Sequence, residues 1–377
     1  MRVMHIIAGL SKGGAETVLY RLILNDPLNT HFVISLTDDG YYGDLLRDCG
    51  ARVVSLEMPR GQLTWKGLSG LWDAARSWPA DVMQTWMYHS DFLGGLLGKL
   101  LGIPVVWGIR TTVLDHDKSP LSTIWLAKLC AALSRRLPAR IVTCAQSATQ
   151  LHIGLGYDAE RIIVIPNGYD LTQFTPDSSA RARLRAEWSV APSQPLVGMV
   201  ARYDPYKDYG NLINALAFVH SQGGSFLAVL TGADVDNDNA CLIGLIRQSG
   251  LSDHIRLLGA RHDIPDIMSA LDIHILSSST EGFPNVLAEA MACGTPCVTT
   301  DVGDARQIVG DHGWVVPRQN PEELGKAILK ALSLSNQPEQ WLDIQQQCRQ
   351  RIADHYAIET MVSRYNDIWS DVGRSAS

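Results

Sequence analysis

Glu281 and Glu289 stand with Gly282, Phe283, Pro284, Asn285, Val286 and Leu287 between them, inside the stretch 270–300. An apolar run, Ile273–Leu276, precedes them and has the length of a buried strand. Pro284 suits the first turn of a helix, where a missing N–H costs nothing. Val286, Leu287, Ala290 and Met291 form one apolar stripe at helical spacing, Gly294 ends that helix, and Pro296 prevents its return. Residues 297–299 then form the next strand. The pattern puts a loop at the carboxyl end of a parallel strand, where ligands bind in open α/β sheets. Helix-start N–H groups around residues 283–287 suit an anion such as phosphate. Two carboxylates beside a phosphate can bind the hydroxyls of a sugar or a ribose, and either can instead act as a simple dipole partner.

Further charges follow other strand ends. Arg202 and Lys207 come after the strand Leu196–Val200 and can clamp a diphosphate, or stand as a solvated pair. Gly13 and Gly14 lead from the first strand into a helix, where backbone can approach an anion closely. The spacing of Gly9, Gly13 and Gly14 does not match G-x-G-x-x-G, so a dehydrogenase reading is set aside. His89 follows a strand end and is expected in a loop. Asp234, Asp236 and Asp238 imitate a metal motif. A calcium loop needs Gly at its sixth position and Glu at its twelfth, and here these are Asn239 and Leu245. The segment reads as a solvated loop, and no metal site is assigned.

The run E-G-F-P-N-V-L-A-E-A-M-A-C-G-T-P closely resembles the signature of the retaining glycosyltransferases of family 4. The G-G-A-E text at 13–16, the I-V-I-P-N-G-Y-D-L-T-Q-F text at 163–174 and Arg202 with Lys207 match the same family in the same order, with Ala201 where the family usually has glycine. The resemblance implies the GT-B fold: two facing doubly wound, Rossmann-like domains with a nucleotide-sugar cleft between them. It implies that Glu289 holds the ribose, that Glu281 holds donor-sugar hydroxyls, and that amides from Gly282 to Leu287 hold sugar and diphosphate. Arg202 and Lys207 would stabilise the leaving phosphate, and backbone near Arg261 and Asp263 would face the base. Gly13 and Gly14 would face donor phosphate and acceptor. His89 matches a cleft histidine. Arg110 stands where many members have a histidine close to the donor sugar, and an arginine there cannot accept a proton. It can bind phosphate or a sugar carboxylate instead.

The expected reaction moves a sugar from a UDP- or GDP-sugar to a hydroxyl of a glycan or lipid-linked glycan, with retained configuration and without a metal or other cofactor. The nucleotide-sugar is a substrate. Two rivals share the motifs: a nucleotide-sugar epimerase, which turns over without acceptor, and a non-catalytic binding protein, which never releases nucleoside diphosphate.

These residues need a scaffold of alternating strands and helices. Apolar runs at 3–7, 32–36, 53–56, 82–85, 105–107, 141–143 and 162–165 alternate with helical patterns, the rhythm of a parallel α/β sheet. The expected domains are 1–175 for the acceptor, a linker at 176–194, and 195–355 for the nucleotide-sugar. By resemblance the final helix, 356–377, packs back on the first domain. At 377 residues the chain accommodates both. The net charge of −7 argues against nucleic acid as a partner. Seven cysteines without regular spacing suggest neither a disulfide framework nor zinc, which fits a reducing cytoplasm. The longest apolar stretch, 92–109, is broken by Lys99 and Pro104 and reads as a helix and a strand, not a membrane span. The run 118–140 carries Lys118, Lys128, Arg135, Arg136 and Arg140 without an acid. It reads either as a core helix with a solvated face or as a basic amphipathic contact with the inner face of a membrane.

Overall fold

The computed structural model describes residues 1–112, 114, 120–191 and 193–374. Two compact units emerge, one formed by the chain up to Gly168 and from Ile358 on, the other by Tyr169–Ala357.

The first unit holds seven strands: β1 (Arg2–Ile7), β2 (Thr30–Ser35), β3 (Arg52–Ser55), β4 (Val82–Trp86), β5 (Val105–Ile109), β6 (Arg140–Thr143) and β7 (Ile162–Val164). They pair in parallel in the order β3-β2-β1-β4-β5-β6-β7. The central strands are apolar almost throughout because helices cover both faces. Two polar residues of β4 find internal partners. Gln84 Oε1 accepts from Trp369 Nε1 at 3.1 Å, and Thr85 Oγ1 donates to Asp91 Oδ1 at 2.5 Å. Trp369 and Tyr365 belong to the last helix, Ile358–Arg374, whose apolar side lies in the same core as Val3, Trp86 and Val106.

The second unit holds β8 (Leu196–Val200), β9 (Leu227–Thr231), β10 (Ile255–Leu257), β11 (Ile273–Leu276), β12 (Cys297–Thr300) and β13 (Trp314–Val316). Their parallel order is β10-β9-β8-β11-β12-β13. Each sheet therefore reverses its winding once, between β1 and β4 and between β8 and β11. A crevice for ligands opens at the carboxyl ends flanking such a reversal.

The predicted linker at 176–194 is instead part of the second unit. Its helix, Ser178–Glu187, buries Ala180 and Leu184, and Arg181 and Arg185 both reach Asp272, at 2.5 and 3.1 Å. Residues 169–175 also belong to this unit, with Tyr169 and Phe174 in its core. These contacts cross some 90 residues of chain, so local composition does not reveal them.

Candidate active site

The two loops flanking the β8/β11 reversal carry the predicted charges. After β8 the chain runs through Arg202 to Lys207, and Asp208 then takes a left-handed conformation, φ 49°, and caps the helix Tyr209–Ser221 by accepting from Asn211 N. After β11, Ser277 Oγ donates to the carbonyls of Lys207 (2.8 Å) and Asp208 (3.1 Å), and Ser279 N donates to Tyr206 O at 2.8 Å. These bonds lace the loops together. A non-glycine residue held at positive φ is strained by about 1–3 kcal/mol, which the lacing must offset.

Lys207 Nζ and Glu281 Oε1 consequently meet at 2.5 Å, both side chains mostly buried, and Ser278 Oγ donates to the same oxygen at 2.7 Å. One oxygen of Glu281 thus holds a cation and a hydroxyl, which fixes the carboxylate's orientation. Arg202 is not part of this knot: it is two-thirds exposed and its Nε donates to Asp204 Oδ2 at 3.1 Å. Beneath the pair lies His274, fully buried on β11. Burial, with Lys207 nearby, pulls its pKa down to about 3. Val200 N donates to its Nε2 at 3.5 Å, so the neutral ring carries its proton on Nδ1.

The loop after Glu281 is shaped by close backbone approach. Asp304 N donates to Gly282 O at 2.9 Å, and at Gly303, φ 53°, a Cβ would fall 2.1 Å from that carbonyl. Pro284 is the residue before the helix Asn285–Ala292, not one of its first turn, because its carbonyl already accepts from Leu287 N at 3.1 Å. No side chain caps this helix, and an uncapped helix start is a setting that favours an anion. Side chains around it have other duties. Leu287 is fully buried, Phe283 meets Tyr356 edge-on at 5.9 Å, and Asn285 Oδ1 accepts from Tyr169 Oη at 2.5 Å. The side chains of Phe283, Asn285 and Leu287 are thus engaged within the unit. Glu289 lies four residues after Asn285, on the same helix face.

Past β10, Arg261 grips Asp263 through two bonds, at 2.8 and 2.6 Å, and reaches Glu187 at 3.2 Å. The pair raises the pKa of the arginine and lowers that of the carboxyl. The acidic loop is spent locally: Asp236 Oδ1 accepts from Asp238 N, and Asn239 caps the helix Ala240–Gln248 while donating to Asp234 O.

In the first unit a cavity of about 300 Å³ lies where β1, β2, β3 and β4 end. Leu36, Met58 and Leu93 wall it, and Glu16, Arg60 and His89 bring charge and polarity. His89 is the second residue of the helix Tyr88–Leu101, not a loop residue, and Met87 before it has φ 73°. Each winding reversal thus carries one strained non-glycine residue, Met87 here and Asp208 in the other unit. Gly13 leaves room for the Glu16 carboxylate, which a Cβ would meet at 2.4 Å, while nothing lies within 4 Å of a Cβ at Gly14. Burial pushes the Glu16 carboxyl up and Arg60 opposes the shift. The G-G-A-E text already contains Glu16; its acid is the signal the sequence reading passes over. Arg60 has no such signal, because an isolated Arg-Gly turn is an ordinary loop. Arg110 is absent from this cavity's wall. It follows β5, donates to Asn167 Oδ1 and Tyr365 Oη, each at 2.5 Å, and stacks over Trp86 at 5.2 Å.

Comparison with known proteins agrees with this division. Residues 1–168 match the family described as "Glycosyl transferase 4-like domain", and residues 180–347 match "Glycosyl transferases group 1". The N,N'-diacetylbacillosaminyl-diphospho-undecaprenol alpha-1,3-N-acetylgalactosaminyltransferase of Campylobacter jejuni is 26% identical over 339 residues, 85% of this chain and 88% of that protein. The D-inositol 3-phosphate glycosyltransferase of Xylanimonas cellulosilytica is 33% identical over 259 residues, 64% of this chain and 61% of that protein. The crystal structure of Anabaena HepE in complex with UDP superposes with a TM-score of 0.85 at 23% identity, covering 98% of this chain and 100% of that one. With family matches over both halves, a GT-B neighbour of near-complete coverage and a doubly wound sheet in each unit, the chain belongs to the family-4 glycosyltransferases and has the GT-B fold.

Proposed function

We propose that the protein transfers a sugar from a nucleoside-diphosphate sugar to a hydroxyl of a lipid-linked or growing surface glycan, with retention and without a metal. The observation that carries this reading is the Lys207–Glu281 pair beside an uncapped helix start. A uridine donor is favoured over a guanosine one by the UDP complex of HepE. A lipid-diphosphate acceptor is favoured by the diphospho-undecaprenol in the name of the Campylobacter relative.

Breaking the bond from the anomeric carbon to the diphosphate builds negative charge on phosphate and positive charge on the ring. Lys207 and the start of the helix Asn285–Ala292, which no side chain caps, meet the first. Arg202 joins them by exchanging its solvent-exposed contact with Asp204 for the phosphate. Glu281, held by Ser278, binds donor-sugar hydroxyls with its other oxygen. Glu289 takes the ribose. With its charge neutralised in this way, the departing phosphate oxygen can accept the acceptor's proton on the face it leaves. The sugar keeps its configuration and no enzyme nucleophile is used. Gly13, Gly14 and the cavity with Glu16 and His89 supply the acceptor side.

Turnover is read as UDP released from UDP-sugars in the presence of EDTA. Full activity is expected in the chelator, and Lys207→Ala or Arg202→Ala should each lose about a hundredfold, the scale for removing one preorganised charge donor. Activity that vanishes in EDTA and returns with manganese would overturn metal independence. Near-normal rates in both variants would overturn the clamp.

A further inference from the structure

We infer that Arg110 is a receptor for an anionic group carried by a sugar substrate, a carboxylate or a phosphate ester distinct from the donor diphosphate. The inference rests on the glycosyl transfer proposed above. Arg110 leaves the carboxyl end of β5, which pairs with β4, one of the two strands at the winding reversal of the first unit. Its Nη1 and Nη2 donate to Asn167 Oδ1 and Tyr365 Oη, each at 2.5 Å, and its guanidinium lies 5.2 Å from the centre of the Trp86 ring. All three partners are neutral. Among the described residues no carboxylate comes within 4 Å of it, whereas two other half-buried arginines of this unit, Arg140 and Arg161, meet Asp371 and Asp158 at 3.4 and 3.3 Å.

A guanidinium stays charged at any physiological pH, and withdrawing it halfway from water without a counter-ion is unfavourable. The neutral partners do not cancel that charge; they fix its direction. Two of the five N–H bonds are engaged by Asn167 and Tyr365, and Nε–H is buried without a partner. The fork is therefore held in one orientation before any ligand arrives, so an anion meeting it loses little side-chain freedom. The donor diphosphate has its own cations, Lys207 and Arg202, in the other unit. What remains for Arg110 is a second negative group, and on a sugar that group is a uronate carboxylate or a phosphate ester. Asn167, Tyr365 and Trp86 act as positioning residues, with Tyr365 supplied by the last helix.

Calorimetric titration of the full-length protein with matched pairs tests this directly. The pairs are UDP-glucuronate against UDP-glucose, methyl glucuronide against methyl glucoside with UDP present, and a methyl glucoside phosphate against the same neutral glycoside. The acidic member of one pair should bind at least about tenfold more tightly, as a charge-assisted bidentate bond provides. The pair that shows it identifies the source as donor, acceptor carboxylate or acceptor phosphate. Arg110→Gln should bring that pair to parity, Arg110→Lys should restore part of the preference, and Tyr365→Phe should weaken it while the charge remains. Equal binding of acidic and neutral members in all three pairs overturns the inference, as does a preference that survives Arg110→Gln. Failure of UDP itself to bind would count against the donor site, and the glycoside pairs would still decide the role of Arg110.

Discussion

At the scale of single residues, the two glutamates of the signature should separate by experiment. Glu289→Ala should weaken UDP binding by roughly 1.5–3 kcal/mol, the value of bonds to a charged group, when measured by calorimetry. Glu281→Gln should lower turnover and leave UDP affinity nearly unchanged. The reverse assignment would overturn both roles. His274 gives a second prediction. Its native pKa of about 3 lies below the ordinary value near 6.5. Above that ordinary value both native and unfolded states are neutral there, and its protonation contributes nothing to the pH dependence of stability. As pH falls below it, the unfolded chain takes a proton that the native site refuses, beside Lys207. Stability should fall by on the order of 1.4 kcal/mol per pH unit down to the native pKa. Urea unfolding at several pH values should show a shallower slope for His274→Gln than for the wild type, and equal slopes would contradict the assignment. The spacing of Glu281 and Glu289, and the cations after β8, were legible in the sequence because each lies within one loop and helix. The partners that aim the site residues were not. Tyr169 reaches Asn285 across 116 residues and Tyr365 reaches Arg110 across 255, distances at which local spacing carries no signal.

At the scale of elements, the strands at the two winding reversals were legible because buried parallel strands are short apolar runs. The three-residue strand β13 passed unnoticed, and the helix within the expected linker 176–194 packs into the second unit. Composition reports exposure on average, while one acid, Asp272, decides where that helix sits. The basic run 118–140 is resolved into parts. Lys118 lies outside the described residues. The helix Leu121–Leu133 buries Ile124, Ala127, Cys130 and Ala131. It leaves Leu121, Trp125 and Leu129 exposed, at 65%, 70% and 44%. Lys128, Arg135 and Arg136 are exposed too, whereas Arg140 is engaged by Asp371. One side of the helix is core, and the other joins apolar side chains to cations. No helix among the described residues is long and apolar enough to cross a membrane. A peripheral contact through this face is the proposal. Each cation near an anionic surface contributes about 1 kcal/mol, screened by salt. Replacing Trp125, Arg135 and Arg136 with serine should abolish flotation with anionic liposomes at low salt and leave UDP affinity unchanged. A wild-type protein that stays unbound would make this a plain solvated face.

For the whole molecule, the fold was legible from four motifs in order and from the strand rhythm, but the return of the last helix was expected only by resemblance. Its basis is physical: Tyr365 and Trp369 are wholly buried, and removing Ile358–Arg374 would uncover the core around Val3 and Trp86. Each unit then brings one strained loop to one winding reversal, with the Lys207–Glu281 pair in the second and an apolar, acid-bearing cavity in the first. Transfer with retention is the central claim drawn from that division. It is tested most directly by following the reaction of an α-linked UDP-sugar with a soluble sugar-diphosphate-lipid acceptor by proton NMR in EDTA. The coupling constant of the new anomeric proton reports its configuration. An α-linked product, formed as UDP accumulates, is the predicted result; a β-linked product would contradict the mechanism.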